Sequence, residues 1–237
     1  MDGWKMTVML SVKNRSLGFY FGLYGCEMTN DGYLLAVVAV GGGGNTSHTV
    51  VWSSDRNTIM DENSYALLSS DSGFVLVDDK VNNWALHQEN EYLYVSVAGV
   101  NLTEEGNVVL FGNEGEILWQ SFHNPIDTLL VGQRLFNGHN LMNYEASFAG
   151  LTKDGNFSVF INTTNRSLIY YQTQPDLNSR NLSGLVYAMD LKNGFVINLG
   201  KSDKSSTLEF IESAKLDSDG RLKRYRYENS REEITLI

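Results

Sequence analysis

Hydrophobic and polar residues alternate along most of this 237-residue chain in short segments, and turn-forming residues separate the segments. The longest apolar run, Tyr33–Val40, has the length of a strand and is too short for a membrane-spanning helix. No segment keeps apolar residues at i, i+3, i+4 and i+7 over three helical turns. Val, Tyr and Phe are frequent, and these residue types favour strands. The pattern predicts an all-β protein.

A turn followed by a strand recurs along the chain as a repeat. Each repeat has a polar turn that contains Gly, and alternating residues with apolar members follow the turn. Such turns tolerate positive φ, and the alternation builds a strand with one buried face. One hairpin cannot bury its own face, so several must pack around a shared core. The first to fourth repeats are Leu68–Val77, Leu102–Phe111, Leu151–Phe160 and Leu216–Tyr225, and a degenerate repeat is Asp190–Asn198.

The segment between the second and third repeats marks a candidate domain boundary. Trp119–Leu135 contains Pro125, one of only two prolines, and is typical of a strand, a turn and an exit segment. We therefore expect the boundary near residues 136–143. A second polar stretch, Thr173–Ser183, is predicted to be a loop within the second domain. The predicted domains span residues 1–136 and 142–237.

Three segments resemble one known family. Trp119–Leu135 is similar to the signature W-Q-S-F-x-x-P-T-D-T-L-L-x-G-Q-x-L, with Ile126 where Thr or Ser is usual. Val50–Asn57 is similar to V-V-W-x-A-N-R-x, with Ser-Asp in place of Ala-Asn, and Val100–Phe111 is similar to L-x-x-x-G-N-L-V-L-x. Over about residues 18–171 the chain resembles the bulb-type, mannose-binding-like lectin domains of plant G-type lectin S-receptor-like serine/threonine kinases.

This resemblance implies a fold and a binding motif. The fold is a β-prism II of three short antiparallel sheets around a pseudo-threefold axis, repeated in tandem as a second, more divergent prism. In sugar-binding members each sheet carries Q-x-D-x-N-x-V-x-Y. Gln, Asp, Asn and Tyr bind sugar hydroxyls, and Val packs on the apolar face of the sugar. Alternate strand positions deliver these side chains to one face.

No repeat retains the whole motif. None has the Gln, and only the fourth repeat has the Tyr. Each lost hydroxyl partner costs on the order of 1–3 kcal/mol, so two losses per site predict no useful binding of free mannose. The candidate carbohydrate-binding positions are Thr152, Asp154, Asn156 and Phe160 in the third repeat, Thr103, Glu105, Asn107, Val109 and Phe111 in the second, and Asp71 and Val75 in the first. The fourth repeat has Asp217, Asp219, Arg221, Lys223 and Tyr225 at the same positions.

Two tryptophans belong to the segments that carry the resemblance. Trp52 and Trp119 each end a strand rich in Val or Leu. We therefore predict that both side chains are buried in the core rather than exposed as platforms for sugar rings.

Charge and side-chain chemistry argue against several other functions. The net charge of −10 argues against nucleic acid, which requires a basic surface. The basic residues between Arg221 and Arg226 alternate with apolar ones, which predicts the solvated face of a terminal strand. There is no G-x-S-x-G segment, and the four histidines lack metal-site spacing. We expect a non-enzymatic protein without metal or cofactor.

The single cysteine and the sequons bear on the compartment. Cys26 is the only cysteine, so an intrachain disulfide is excluded. Met1–Leu10 shows no signal peptide, and no membrane segment is evident. The resemblance nevertheless implies an extracellular or secreted protein, and the density of N-x-Ser/Thr sequons favours the same compartment. These sequons begin at Asn14, Asn45, Asn101, Asn156, Asn162, Asn165 and Asn181.

Two functions remain open at this point. The chain is either a carbohydrate-recognition module of lectin type, with a degenerate motif, or a lectin-derived scaffold for protein contact. Candidate partners are therefore a mannose-type glycan, a protein ligand or a second copy of the chain. Asn156 bears on the choice, because a glycan attached there would block the pocket of the third repeat. The alternative for Asn156 is an ordinary turn residue.

Overall fold

The computed structural model describes most of the chain, with gaps. The described residues are 5–14, 17–25, 32–41, 47–54, 59–70, 72–78, 83–86, 96–136, 138–143, 147–153, 156–172, 180–182, 185–190, 194–198, 210–228 and 231–236. Within these ranges the chain forms twenty-two strands in six sheets. The one helical element there is a 3-10 turn at Ser121–His123. The all-β prediction is confirmed.

Three sheets come from the first half of the chain. The strands of the first sheet are hydrogen-bonded in chain order, and those of the other two are antiparallel. The first sheet contains β1 (Lys5–Asn14), β2 (Leu17–Gly25), β3 (Leu34–Gly41) and β4 (Ser47–Ser53). The second contains β5 (Tyr65–Ser69), β6 (Gly73–Val77) and β7 (Asn83–Ala85). The third, in the order β10-β9-β8, contains β8 (Val97–Leu102), β9 (Val108–Gly112) and β10 (Ile117–Gln120).

Three antiparallel four-stranded sheets follow. Their strands are β11 (Thr128–Leu130), β12 (Arg134–Leu135), β13 (Asn140–Asn143), β14 (Ser147–Leu151), β15 (Phe157–Asn162), β16 (Ser167–Gln172), β17 (Arg180–Leu182), β18 (Leu185–Asp190), β19 (Gly194–Asn198), β20 (Phe210–Leu216), β21 (Leu222–Glu228) and β22 (Arg231–Leu236). The sheet orders are β11-β20-β21-β22, β12-β19-β18-β17 and β13-β14-β15-β16. Several antiparallel sheets in one chain agree with the expected prism fold.

The chain divides into two compact units, and each contains segments from several parts of the sequence. The last boundary between the two units along the chain falls between Ser121 and Phe122. The sequence predicts a domain boundary further on, near residues 136–143. The predicted domains 1–136 and 142–237 stay a prediction. The first compact unit contains Met1–Val12, Phe19–Val38 and Ser53–Ser121, and the second contains Lys13–Gly18, Ala39–Trp52 and Phe122–Ile237.

The core of each compact unit follows from the alternation of residues along its strands. In β9, Val108 and Leu110 are completely buried, while Val109 and Phe111 between and beyond them are partly exposed. The corresponding inward residues of the second compact unit form one cluster of buried side chains. Its members are Leu129, Leu135, Leu141, Ala149, Phe157, Val159, Ala214, Leu216 and Leu222.

The two tryptophans differ in burial. Trp52 is 6% exposed, and its indole N–H donates a hydrogen bond of 2.9 Å to the carbonyl of Asn124. Trp119 is partly buried, less completely than Trp52. It lies on β10, the edge strand of its sheet, where the register with β9 shifts between Ile117 and Trp119. An edge strand has a neighbour on one side only, which leaves this indole less covered.

Candidate functional site

The second, third and fourth repeats close the same five-residue turn. In each, the backbone N–H at the Gln position of the motif donates to the carbonyl at the Asn position. Gly106 and Gly220 sit at the fourth residue of this turn with φ of 84° and 76°, which favours glycine. The turn therefore brings the Gln and Asn positions of the motif together in each of these repeats. The donor–acceptor pairs are Thr103 with Asn107 at 2.9 Å, Thr152 with Asn156 at 2.8 Å, and Asp217 with Arg221 at 2.9 Å.

The residue that replaces the motif Gln is a cap for this turn in three repeats. The hydroxyl of Thr103 accepts from the N–H of Asn107 at 3.3 Å, and that of Thr152 accepts from the N–H of Asn156 at 3.2 Å. In the first repeat the hydroxyl of Ser69 accepts from a backbone N–H, that of Ser72, at 2.9 Å. A hydroxyl at this position satisfies a backbone donor that the turn leaves over. These side chains thus stabilise the hairpin.

In the second repeat the motif Asn is tied to the Trp119–Leu135 signature. The side-chain N–H of Asn107 donates to Gln120 Oε1 at 2.8 Å, and its Oδ1 accepts from the hydroxyl of Ser121 at 3.1 Å. The same hydroxyl accepts from the N–H of Val108 at 2.9 Å. Both amide atoms of Asn107 therefore hold the turn against the end of β10.

The other second-repeat candidates share one outward face. Val109 and Phe111 follow Asn107 at alternate positions of β9 and are partly exposed. The ring of Phe111 lies against Gly99. A Cβ on that glycine would come within 2.6 Å of the ring, so only glycine leaves room for it there. Glu105 is exposed in the turn. The structure thus places the predicted positions on one face. The surface there is apolar, and the side-chain amide of Asn107 is already hydrogen-bonded inside the protein.

In the third repeat the predicted pocket is partly buried. Asn156 is half-buried, and its Oδ1 is buried without a hydrogen-bond partner among the residues that the structure describes. The hydroxyl of Ser158, at the Val position of the motif, is also buried without a hydrogen-bond partner among the described residues. Asp154 lies outside the described residues.

The Tyr position of the third repeat belongs to an exposed line of apolar side chains. Phe160 stacks on Phe148 of β14 with ring centroids 4.4 Å apart and planes 8° apart. Met142 pairs with Phe148 on one side, and Ile169 pairs with Phe160 on the other. Met142 is 54% exposed and Ile169 is 50% exposed. We call Met142, Phe148, Phe160 and Ile169 the apolar row, and it crosses all four strands of the sheet.

The described residues of the first repeat, 68–70 and 72–77, give no polar site. Val75 is buried, at 7% exposure, between Leu67 of β5 and Ala85 of β7. Asp71 lies outside the described residues.

The fourth repeat assembles a polar cluster that the candidate sites did not include. Lys223 Nζ lies 2.8 Å from Asp217 Oδ2 and 2.8 Å from Asp219 Oδ2. The hydroxyl of Tyr225 donates to Asp217 Oδ2 at 2.6 Å. We call Asp217, Asp219, Lys223 and Tyr225 the fourth-repeat cluster. Four of the five motif positions thus converge, with Lys in place of Val.

The turn of this cluster is also held from neighbouring strands. The side-chain amide of Asn143 donates to the carbonyl of Asp217, and the hydroxyl of Tyr170 donates to the carbonyl of Gly220. These two contacts connect the turn to β13 and β16. The cluster is therefore built on a turn with fixed ends.

The contacts shift the pKa values of the cluster. Burial raises the pKa of Asp217, but the hydrogen bonds from Lys223, Tyr225 and the Ser218 N–H outweigh it and leave that pKa below its ordinary value. Hydrogen bonds to Asp217 and then Asp219 raise the pKa of Lys223. Burial and the bond to Asp217 raise the pKa of Tyr225. The folded state therefore favours an ionised Asp217 beside a charged Lys223 and a neutral Tyr225.

The basic residues next to the cluster are paired rather than solvated. Arg224 donates from Nε to Oε1 of Glu212 at 2.8 Å, and the side chain of Glu212 is 1% exposed. Arg226 lies 3.5 Å from the same carboxylate and covers the ring of Phe210 at 4.3 Å. The prediction of a solvated basic face is wrong for these two arginines.

The Trp119–Leu135 signature also holds the fold together at its C-terminal end. Asp127 is buried, and Lys215 of β20 lies 3.6 Å from its carboxylate. Gln133 accepts from the N–H of Leu130 at 3.0 Å and donates to the carbonyl of Phe122 at 3.1 Å. The polar residues of this segment therefore satisfy buried groups of the protein.

The predicted sequons differ in exposure. Asn101, Asn162 and Asn165 are exposed, whereas Asn156 is half-buried. The side chains of Asn14, Asn45 and Asn181 lie outside the described residues.

The described ranges contain no group of three or more His, Cys, Asp or Glu side chains placed to hold a metal ion. None of their helical segments is long and apolar enough to cross a membrane.

Comparison with known proteins identifies the family of one part of the chain. Residues 49–145 match the family described as D-mannose binding lectin. The segment contains the second repeat, the whole Trp119–Leu135 signature and Trp52. A lectin domain of this family is non-enzymatic, and the related kinases owe their name to other domains.

Three plant proteins illustrate the relationship. RLK1 of Arabidopsis thaliana, a G-type lectin S-receptor-like serine/threonine-protein kinase, is 33% identical over 160 residues, which are 63% of this chain and 18% of that protein. Another such kinase of Arabidopsis thaliana is 32% identical over 104 residues, 41% of this chain and 12% of the relative. LECRK2 of Oryza sativa subsp. japonica is 24% identical over 242 residues, 92% of this chain and 29% of the relative.

The chain thus spans less than a third of the length of each of these relatives. The resemblance seen in the sequence is confirmed. The chain carries a bulb-type lectin domain and is homologous to the kinase-free ectodomain portion of plant G-type lectin S-receptor-like serine/threonine-protein kinases.

Proposed function

We propose that this chain is a non-enzymatic recognition module that functions outside the cell. The homology to receptor-kinase ectodomains and the seven sequons support this placement. Tandem prisms are part of the proposal. The strands up to Gln120 form three sheets and those from Thr128 form another three, and one prism needs three sheets.

The ligand in this proposal is a protein rather than free mannose. The apolar row carries the argument, because it occupies the outward face on which the third-repeat motif would bind sugar. Phe160 has no hydroxyl, and the two ends of the row, Met142 and Ile169, are about half exposed. A continuous line of exposed apolar and aromatic side chains is typical of protein contact surfaces.

The second and third repeats support the same conclusion. Their Thr103 and Thr152 hydroxyls accept backbone hydrogen bonds within the turn. Asn107 gives both amide atoms to Gln120 and Ser121. A sugar hydroxyl would have to replace these internal bonds, and each unpaired group left behind costs about 1–3 kcal/mol.

Two variants test the apolar row. Met142→Ser with Ile169→Ser removes its two most exposed side chains without opening the core, and Leu168→Ser is the matched control. Leu168 is 42% exposed and, as the residue next to Ile169 on β16, faces the opposite side. Proteins captured from plant extracellular fluid are identified, purified and titrated against each variant. Sedimentation velocity measures self-association in the same series.

The expected result is a binding protein whose affinity falls at least tenfold, about 1.4 kcal/mol, in the double variant and stays unchanged in the control. Self-association with the same response would identify a second copy of the chain as the partner. Equal binding by the double variant and the wild type would contradict the proposed surface.

The fourth-repeat cluster favours a second candidate, weak saccharide binding. Its carboxylates, ammonium and phenol are the donors and acceptors that hydroxyl clusters require. However, Lys223 already bridges Asp217 and Asp219, so a sugar must compete with these bonds. We expect calorimetric titration with mannose and methyl-mannoside to show no saturable binding at millimolar sugar. A dissociation constant near or below about 1 mM, about −4 kcal/mol, that is lost in Asp219→Asn would establish this candidate instead.

A further inference from the structure

The outward face of the sheet β8–β10 presents a shelf of apolar side chains. Phe111 lies between Gly99 of β8 and Ile117 of β10. Ile117 is 57% exposed, and Gly99 leaves room for the ring of Phe111 to lie against the backbone. Val109 continues the same face two residues earlier on β9. We call Val109, Phe111 and Ile117 the shelf.

A glycosylation sequon lies beside this shelf. Asn101 begins the sequence Asn101-Leu102-Thr103, is exposed, and is the direct cross-strand partner of Val109. Directly opposed residues on one face of a sheet have Cβ atoms about 4.5–5.5 Å apart. A group attached to Asn101 therefore starts within contact distance of Val109, and it lies diagonal to Phe111, two residues further along β9, at about 7–8 Å.

We propose that Asn101 carries an N-linked glycan whose first sugar covers the shelf. Attachment joins Asn101 Nδ2 to the anomeric carbon of a lipid-diphosphate-linked oligosaccharide. The bond from that carbon to the diphosphate oxygen breaks, the lipid diphosphate leaves, and the amide gives up one proton. The apolar face of the first pyranose then packs on Phe111 and Val109. The second-repeat face bears a sugar of its own rather than binding one from outside.

The third repeat contains the opposite arrangement. Its sequon Asn begins Asn156-Phe157-Ser158, but Asn156 is half-buried with its Oδ1 enclosed, and Phe157 and Ser158 are buried. A glycan on Asn156 requires this side chain to leave the turn that its backbone closes with Thr152. The fold can therefore accommodate a glycan at Asn101, whereas a glycan at Asn156 is incompatible with the folded turn.

The first test measures occupancy at both sites, and it rests on the proposed extracellular placement. The full chain is secreted from plant cells behind a heterologous signal peptide, and its glycans are released enzymatically in heavy-oxygen water, which labels each formerly glycosylated Asn. Peptide mass spectrometry should find Asn101 mostly occupied and Asn156 unoccupied.

The outcomes separate this inference from the proposed function. An unmodified Asn101 in a chain that is glycosylated at Asn162 or Asn165 overturns the inference alone. A modified Asn156 in folded protein also overturns it. A secreted chain without any glycan also overturns the inference. The proposed function is tested separately, because the partner-binding experiments depend on the apolar row.

The second test measures the contact with the shelf. Asn101→Gln should lower the melting temperature of the secreted protein by about 2–4 °C and leave the unglycosylated protein from bacteria unchanged. Ile117→Ser should reduce that difference, and Val8→Ser, another exposed apolar change at 47% exposure, should not. Equal effects of Asn101→Gln in both proteins would show that the glycan does not touch the shelf.

Discussion

In the second repeat the motif Asn, Asn107, gives both amide atoms to the residues at the end of β10, whereas the same position in the fourth repeat is the exposed Arg221. The polar contacts of the fourth repeat instead join Lys223 to Asp217 and Asp219. Both repeats nevertheless close the same turn with the same backbone hydrogen bonds. The backbone conformation of the turn therefore does not determine which contacts its side chains make.

The inward faces of these two repeats differ as well. Leu110 of the second repeat is completely buried. The equivalent residue of the fourth repeat, which also comes seven positions after the first residue of the turn, is Arg224. Arg224 pairs with Glu212, whose side chain is 1% exposed. Apolar packing stabilises the first site, while the second depends on a pair of charges that burial penalises.

A shared turn motif therefore does not by itself carry a shared binding function. A glycine at positive φ and two backbone hydrogen bonds suffice to make the hairpin. They place alternate side chains on one face, but they do not determine what those side chains contact. A binding role assigned by position has to be checked against the hydrogen bonds that each side chain already makes inside the protein.

Changes on the inward faces should alter the free energy of unfolding most. Leu110→Ala should lower the free energy of unfolding by about 2–5 kcal/mol, because it leaves a cavity in a completely buried site. The paired change Glu212→Leu with Arg224→Met should cost less, because it removes both charges together, and Arg226, which also contacts Glu212, keeps its pair with Glu228. Urea unfolding of the two variants measures the difference. A loss below about 1 kcal/mol for Leu110→Ala would show that this repeat is not packed as described.

A change on the outward face of the second repeat should alter the free energy of unfolding less. Asn107→Ala should lower the free energy of unfolding by about 1–3 kcal/mol, because it removes the partners of Gln120 and Ser121. Asn113→Ala is the matched control, since Asn113 lies exposed in the next turn and should change stability by about 0.5 kcal/mol or less. Chemical denaturation compares the two. If both variants unfold alike, Asn107 is available for a ligand after all.

The local parts of this comparison could be predicted from the sequence. Alternating residues after a Gly-containing polar turn predict a hairpin, and the positive φ of Gly73, Gly106 and Gly220 agrees with that expectation. The shared outward face of Asn107, Val109 and Phe111 also follows from the period of a strand. These features depend on residues that are close together along the chain.

The partners of the motif residues could not be predicted in the same way. Gln120 and Ser121 contact Asn107 only because β10 returns beside β9, and Lys215 contacts Asp127 only because β20 pairs with β11. The partial exposure of Trp119 likewise results from its place on an edge strand. The sequence does contain a signal for the fourth-repeat cluster, since acidic, basic and phenolic residues alternate there.

The smallest effect is the pH dependence of stability in the fourth repeat. Contacts with Lys223 and Tyr225 leave the pKa of Asp217 below its ordinary value of 3.8, so this carboxyl stabilises the fold above about pH 4. That contribution is lost as the pH falls through the lowered pKa. Burial and the bond to Asp217 raise the pKa of Tyr225 above its ordinary value of 10.0, so its contribution is present below pH 10 and is lost at higher pH.

Stability should therefore fall on both sides of a plateau between about pH 4 and pH 10, and each limb should be worth about 1 kcal/mol or less, because the cluster is partly hydrated. Asp217→Asn should remove this residue's share of the acid limb, and Tyr225→Phe should remove the tyrosine's share of the alkaline limb. Each variant thus serves as the control for the other limb. Urea midpoints measured across the pH range report both. If Asp217→Asn leaves the acid limb intact, the pair with Lys223 does not form in solution, and the contrast with the second repeat disappears.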